Sequence, residues 1–481
     1  QPGFFPMHDD LQVFRLFQLD KCVQDLQLPC RWVPDAGFGY GYPLMQFYPP
    51  MPYYPMEILK LLGLGFFWPV KIMFALAFIV SGWGMYLLAK TFFGKWGGVL
   101  SAILYVYAPY HSVDIYVRGA MNEAWGMAWF PFVLLYIYRL ITDKVNQKNL
   151  LVLGLFLSLQ LSSHNVMTMV FAPSAVVWAI FWLWQTKNFS QIKNLIFSGV
   201  IGIGLSAFFF LPVVLEQKFV HVDSMIVGYF NFMAHYIDIN QLFFSRFWGY
   251  GGSTWGPEDS MSFSVGHFQW IAAALAGLFS LQFIKKDFKK FLMIFMFIFF
   301  GLGYAFLTHS RSIDIWNHLP LLQYSQFPWR LVALIVFYFS LAGGFLATIP
   351  FPKYLGRFLF LVTLIGLLVW NMPFFKVDRY QQITMAEKLS GRQWELQVTG
   401  GIFDYLPRSA PKPPGDPAFT IPIFVDGVGS VLNFKSGSNW QRFDTNISSD
   451  SAKIMLPLYT YPGLSVMVNN QKVVPGIDLD L

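Results

Sequence analysis

Charge is what this sequence has least of. Only 12% of its 481 residues are Asp, Glu, Lys or Arg, against about 25% in soluble globular chains. So few charges cannot coat a soluble surface of this size. Cysteine is nearly absent as well. Cys22 and Cys30 are the only two, and two cysteines define no framework. They share one polar stretch, where a disulfide and a pair of reduced thiols both remain open. The chain also lacks a P-loop, a dinucleotide-binding GxGxxG, a nucleophile elbow, HExxH and CxxC. Nothing therefore points to ATP hydrolysis, redox cofactors or structural zinc.

What fills the sequence instead is apolar. Hydrophobic residues make up 55% and aromatics 19%, and they come in long blocks. Blocks of roughly 18 or more residues are transmembrane candidates, so lipid is the expected solvent for most of the chain. Ten apolar segments predict about ten spans. They run Phe66–Leu88, Gly97–Tyr110, Ala124–Ile141, Leu150–Leu161, Val166–Trp184, Leu195–Leu215, Phe268–Ile284, Phe291–Thr308, Trp329–Ile349 and Tyr354–Met372. Gly97–Tyr110 and Leu150–Leu161 fall short of the ~20 residues of a straight span.

Lys and Arg in alternate short loops set the orientation. Lys90 and Lys95, then Arg139, Lys144 and Lys148, then Lys187 and Lys193 fall on one side. Lys285, Lys286, Lys289 and Lys290, and then Lys353 and Arg357, join them. That side is expected to be cytoplasmic, and the net charge of +7 reads as loop charge rather than as a nucleic-acid surface. The other side receives 1–65, 111–123, the turn Ser162–Asn165, 216–266, 309–328 and the tail after Phe375. An outside 1–65 calls for one more helix ahead of Gln1, and the chain is expected to be a fragment at both ends. The fold class is thus mainly α, a polytopic bundle over 1–375. An extracytoplasmic β-rich domain is expected over 376–481. There Thr420–Val425 and Val431–Phe434 read as strands. Ser465–Val468 and Lys472–Val474 flank Asn469-Asn470, a pair able to make a tight hairpin turn.

The candidate chemistry lies on the non-cytoplasmic side. His8-Asp9-Asp10 opens a stretch that includes Arg15. Adjacent carboxylates there can hold Mg²⁺ or Mn²⁺, or one can act as a general base. Arg15 can pair with a phosphate, or with Asp10 or Glu57. The plainer alternative for the two aspartates is a solvated helix cap. The second outer loop holds Asp114, Arg118, Asn122 and Glu123. Glu123 enters an apolar helix, where an ionisable group is a functional candidate, although Glu is also favourable at any helix start. His164 and Asn165 sit in a turn with almost no loop. The histidine could bind metal or phosphate or move a proton, and the alternative is a cap made by Ser163 or Asn165. The 216–266 loop holds His221, Asp223, His235, Asp238 and Asp259, and a loop this long is more often functional than idle. Arg330 closes Phe327-Pro328-Trp329-Arg330 at a helix mouth, placed to snorkel or to hold an anion. Asn446-Ile447-Ser448 is a bare sequon.

Together these pieces resemble the GT-C superfamily of polytopic glycosyltransferases. The narrower likeness is to bacterial membrane proteins catalogued as "6-pyruvoyl-tetrahydropterin synthase-related", a name with no bearing on pterin chemistry. The resemblance rests on His8-Asp9-Asp10, Arg118-Gly119 with Glu123, Ser163-His164-Asn165, Phe327-Pro328-Trp329-Arg330 and Tyr461-Pro462-Gly463. It implies a multi-pass protein of the bacterial plasma membrane that moves a sugar, with inversion, from a polyprenyl-phosphate donor to a glycan, lipid or protein acceptor. Asp9 or Asp10 would be base or metal ligand, with Glu123 a further catalytic candidate. His8, Arg15, Arg118, His164, Asn165 and Arg330 would bind substrate. Two other readings compete: a transporter or flippase of lipid-linked glycans, and a non-catalytic assembly subunit that keeps the fold.

Overall fold

The structure, a computed structural model, describes residues 3–143, 147–254, 258–350 and 352–476. Gln1, Lys144, the side chain of Lys353 and residues 477–481 lie outside the described residues.

Each of the ten apolar segments falls on helix, though ten spans are not confirmed. The helices are α1 (Gln12–Gln24), α2 (Tyr53–Leu59), α3 (Phe67–Val106), α4 (Met121–Thr142), α5 (Gln147–Ser163), α6 (Asn165–Thr186), α7 (Ile192–Leu205) and α8 (Ala207–Glu216). They continue with α9 (His267–Ser280), α10 (Phe288–Leu307), α11 (Val332–Gly343), α12 (Lys353–Asn371) and α13 (Gly391–Val398). Among the described residues, six helical runs are long and apolar enough to cross a membrane: α3, α4, α6, α10, Pro328–Thr348 around α11, and Tyr354–Phe374 around α12. Phe189–Leu205 and Ala207–Phe219 meet at 82° and add a seventh if they form one broken span.

α5 has 17 residues, at the short end of the ~17–25 that cross a bilayer core, and α9 has 14, below it. The first two apolar segments are both parts of α3. The chain turns between them at Gly94, whose φ of 71° and ψ of −177° are open to glycine and costly for other residues. Gly82 then lies against Val106, and Gly98 against Tyr86, so the two legs run antiparallel.

α4 and α11 are the most enclosed elements, with Phe130, Leu134, Val332, Ile335 and Phe337 fully buried. α12 is the reverse, with Phe358, Leu361, Val362, Ile365 and Val369 exposed, as a lipid-facing helix would be. The basic loops gather at one end of the bundle. Asn188 donates to the Ile141 carbonyl at the end of α4 (3.0 Å). Lys289 sits over the Trp182 ring and Lys290 over Phe345.

The tail is less sheet-like than its sequence pattern suggests. Among the described residues it holds three separate two-stranded antiparallel ladders. β1 (Ile423–Asp426) pairs with β4 (Lys453–Met455), β2 (Gly429–Ser436) with β3 (Gln441–Ile447), and β5 (Val466–Val468) with β6 (Gln471–Val473). The last pair turns at Asn469 and Asn470, both with positive φ, as the dipeptide predicts. β3 and β4 were not anticipated.

Cys22 and Cys30 form a disulfide with Cα atoms 5.5 Å apart. It closes the loop that ends α1. Beside it, Asp25 accepts hydrogen bonds from Ser438 and Trp440, which fastens the tail to the first loop.

Candidate functional site

Three loops and two helix mouths meet at the end of the bundle away from the basic loops. Backbone bonds stitch the first two loops together: His8 N–H to the Val117 carbonyl (3.0 Å) and Asp9 N–H to that of Arg118 (2.9 Å). Gln12 donates to the Gly119 carbonyl at 2.8 Å. Gly119 itself has a φ of +64°, and a Cβ there would run into the Met7 side chain. Only glycine lets the two loops come this close. The third turn joins them. Asn122 donates to the carbonyls of Pro49 (2.6 Å) and Ser163 (2.9 Å).

Glu123 is the centre of one cluster. It is 1% exposed. Tyr110 donates to its Oε1 at 2.7 Å, while Arg118 (2.9 Å) and Arg330 (3.0 Å) both contact Oε2. Arg118 also pairs with Asp114 and lies over the Trp329 ring, 4.6 Å from its centroid. Burial and the neighbouring Glu123 push the Asp114 carboxyl well up, against the pull of Arg118. The cluster thus gains one positive charge whenever Asp114 takes a proton. Arg330 is held in turn by Ser325 O (2.8 Å) and Gln326 Oε1 (3.1 Å). Its segment is braced from the long loop, where His235 packs edge-on against Phe327.

His164 stands at the start of α6, and its Nδ1 accepts from Met167 N–H at 3.1 Å. The cap is therefore His164 itself, not Ser163 or Asn165. Burial, reinforced by Arg330, drives its pKa down to about 3, so the ring is neutral. Asn165 accepts from the adjacent Val166 N–H.

Asp9 and Asp10 diverge. Asp9 Oδ2 accepts from Arg15 (2.7 Å) and Gln12 (3.1 Å), with Tyr48 Oη at 3.4 Å. Arg15 is buried and stacks on Tyr48 at 4.0 Å. Its partner is thus Asp9, not Asp10 or Glu57. Glu57 lies instead beside Asp20 and Lys60, and burial with the Asp20 charge pushes it up to about 7. Asp10 pairs at 2.6 Å with Lys388, which is 2% exposed. Neither aspartate side chain caps α1. His8 meets the Tyr250 carbonyl at 2.9 Å. Of the other acids and histidines in the long loop, Asp223 pairs with Arg408, and Asp238 and Asp259 fix Gln241 locally. Among the described residues, no three His, Cys, Asp or Glu side chains converge as a metal-ligand set.

Asp404 was missed by sequence reasoning. A cavity of about 20 Å³ is lined by Asp404, Arg15, Tyr48, Leu11, Gly37 and Gly401, with room for a water molecule. Burial, partly offset by Arg15 and reinforced by Asp9, raises the Asp404 carboxyl to about 6. Its folded pKa therefore exceeds its unfolded value. The native state holds the extra proton between about pH 4 and 6, and stability falls as pH rises through that window. Asp404→Asn, which mimics the protonated form, should melt with the wild type at pH 4. By pH 7.5 it should be more stable by about 2 kcal/mol. Thermal unfolding in detergent across pH checks both the sign and the window.

Residues 48–215 match the family model described as "Dolichyl-phosphate-mannose-protein mannosyltransferase". That stretch contains Arg118, Glu123, His164 and Asn165. The GT-C likeness seen in the sequence is met over this region, about a third of the chain. The narrower pterin-synthase-related likeness is not shown by it. An uncharacterized protein of Lactococcus lactis subsp. cremoris (strain MG1363) is 22% identical over 336 residues, 66% of this chain and 49% of that one. The chain thus spans about half the length of the curated relative it matches. Three solved structures align with low identity. ArnT from Cupriavidus metallidurans bound to undecaprenyl phosphate aligns at TM-score 0.46 and 13% identity, over 76% of this chain and 59% of ArnT. The oligosaccharyltransferase AglB from Archaeoglobus fulgidus, with an inhibitory peptide and a dolichol-phosphate, aligns at 0.48 and 11%, over 79% and 53%. An Archaeoglobus fulgidus oligosaccharyltransferase complex with Zn and sulfate aligns at 0.42 and 12%, over 77% and 48%.

Proposed function

We propose that this chain is a membrane glycosyltransferase that moves a sugar from a polyprenyl-phosphate donor to a hydroxyl acceptor on the non-cytoplasmic face, with inversion. The observation that carries the reading is the pair of guanidinium groups, Arg118 and Arg330, held 2.9 and 3.0 Å from one buried carboxylate. This pair lies beside an acidic loop that is hydrogen-bonded to the Arg118 backbone. The family match supports the donor class.

The chemistry follows from charge. Asp9 accepts the proton of the acceptor hydroxyl, whose oxygen forms a bond to the anomeric carbon. The bond from that carbon to the phosphate oxygen breaks, and its electron pair leaves on the lipid phosphate. Arg118 and Arg330 stabilise the charge that grows there. Glu123 aims the arginines and does not take a proton. His164, neutral at the same mouth, and Asn165 flank the sugar path. His8 and Arg15 hold the acidic loop and Asp9 in place, and Asp10 anchors the tail through Lys388. An Mg²⁺ or Mn²⁺ ion at Asp9 and Asp10 would meet Arg15 and Lys388 already in place. The residues present do not fit it, and the proposed step uses none. Residues 1–375 and 376–481 act in this reading as a transmembrane unit and an acceptor-side unit.

Membranes carrying the full-length protein should transfer radiolabelled sugar from a polyprenyl-phosphate donor, and EDTA should leave the rate unchanged. Absence of transfer across a panel of such donors and acceptors would sink the reading. Loss of transfer in EDTA, restored by Mg²⁺ or Mn²⁺, would overturn its metal-free form.

A further inference from the structure

A second concavity lies outside the arginine cluster, where the tail meets the end of α8. Its volume is about 470 Å³, and Lys218, Phe219, Arg408, Ser409, Thr460 and Tyr461 line it. Ligand pockets run from about 300 to 1,000 Å³. Two cations and two aromatic rings share this wall. Among the described residues, no carboxylate pairs with Lys218, whose ammonium rests 5.1 Å from the Phe219 ring centroid. Arg408 meets Asp223 at 2.9 Å, but both are well exposed, and such a pair contributes little and exchanges readily. Glu216 accepts from Gln46, whose same nitrogen donates to the Tyr461 hydroxyl, so this carboxylate stands beside Tyr461 at the floor of the pocket.

The place of the pocket narrows its ligand. Lys218 and Phe219 follow directly on α8, one arm of the 82° bend, whose Leu211, Val214 and Leu215 are exposed. Apolar groups there suit the membrane surface, so the cations stand at headgroup height. The floor leads inward. Tyr461 accepts from Gln46 at 2.8 Å, and the neighbouring Phe47 stacks on Tyr405, next to Asp404.

We propose that this pocket is a second anion site, which takes a phosphate ester between Lys218 and Arg408, with the attached glycerol or sugar against Phe219 and Tyr461. It is separate from the Arg118–Arg330 pair and does not rest on the transferase reading, because its test is binding rather than turnover. The phosphate can arrive on an acidic lipid headgroup or on a soluble ester.

The test uses the full chain in detergent, with native mass spectrometry reading retained phosphatidylglycerol against phosphatidylcholine. Lys218→Gln and Arg408→Gln are compared with the wild type and with Lys435→Gln, an exposed lysine on β2. All three positions are on the surface, and thermal unfolding checks that the variants stay folded. The expected result is at least fivefold weaker retention of phosphatidylglycerol in each pocket variant, none in Lys435→Gln, and no change with phosphatidylcholine. Displacement by glycerol 1-phosphate would show that the ester alone suffices, and resistance to it would show that the lipid form is required. Equal phosphatidylglycerol retention in wild type and both pocket variants overturns the proposal.

Discussion

Asp9→Asn should lower sugar transfer by about 10²- to 10⁴-fold, the usual contribution of a positioned general base, while the protein stays folded. The amide keeps the size of the carboxylate and its carbonyl oxygen, so it still accepts from Arg15 Nη1 and Gln12 Nε2, now 2.7 and 3.1 Å away. It cannot take a proton from an acceptor hydroxyl. The structural cost falls on the partner: the Asp9 side chain is 30% exposed but that of Arg15 only 7%, so the guanidinium loses its anion in a buried place and some stability goes with it. Arg15→Gln separates the two roles. It removes the same ion pair but leaves the carboxylate, so it should lower transfer less than Asp9→Asn does. The reverse ranking in a transfer assay, with thermal unfolding to check that both variants are folded, would make Asp9 a structural ligand of Arg15. Equal, full activity in Asp9→Asn would take the acidic loop out of the mechanism.

The elements that set this geometry differ in how plainly the sequence announces them. Apolar runs in a poorly charged chain can only be membrane helices, and every such run is helical. Their number is not confirmed, because length along the chain does not say where a helix bends. α3 contains two apolar segments that turn back on each other at Gly94, and α5 and α9 have only 17 and 14 residues. The candidate residues were also visible, since ionisable groups are conspicuous against an apolar background. Their partners were not. Glu123 and Arg330 are 207 positions apart and Asp10 and Lys388 are 378 apart, and no local pattern encodes such pairings. Asp404 was hidden for another reason. It sits in a tail whose strands and turns drew attention to β structure, and its raised pKa comes from burial and the Asp9 charge, against the pull of Arg15, which only the fold supplies. The same geometry weighs on the competing readings. Glu123 and Arg330 lie at the mouths of α4 and the α11 run rather than at their middles, whereas a transporter would place its polar site near the midplane.

Glu123→Gln should be the most damaging single change in the bundle. Oε2 of Glu123 serves Arg118 and Arg330 together, and Oε1 serves Tyr110. A glutamine has one oxygen for three donors, and its own N–H₂ would face either the phenol or a guanidinium. It also leaves two buried cations, with Asp114 beside Arg118. Removing one partner from a buried ion pair costs about 3–5 kcal/mol, and a loss near that value is expected in detergent unfolding. Transfer should fall with it, because arginines no longer aimed by Glu123 cannot meet the leaving phosphate. A second substitution distinguishes charge imbalance from general damage. In Glu123→Gln/Arg330→Met one cation goes with the anion, and Arg118 keeps Asp114. The double variant should therefore be more stable than Glu123→Gln alone, a coupling of about 1–3 kcal/mol for groups in direct contact, while transfer stays lost for want of Arg330. If the two losses simply add, Glu123 does not act through the arginines. If the double variant regains transfer as well as stability, Arg330 does not hold the phosphate.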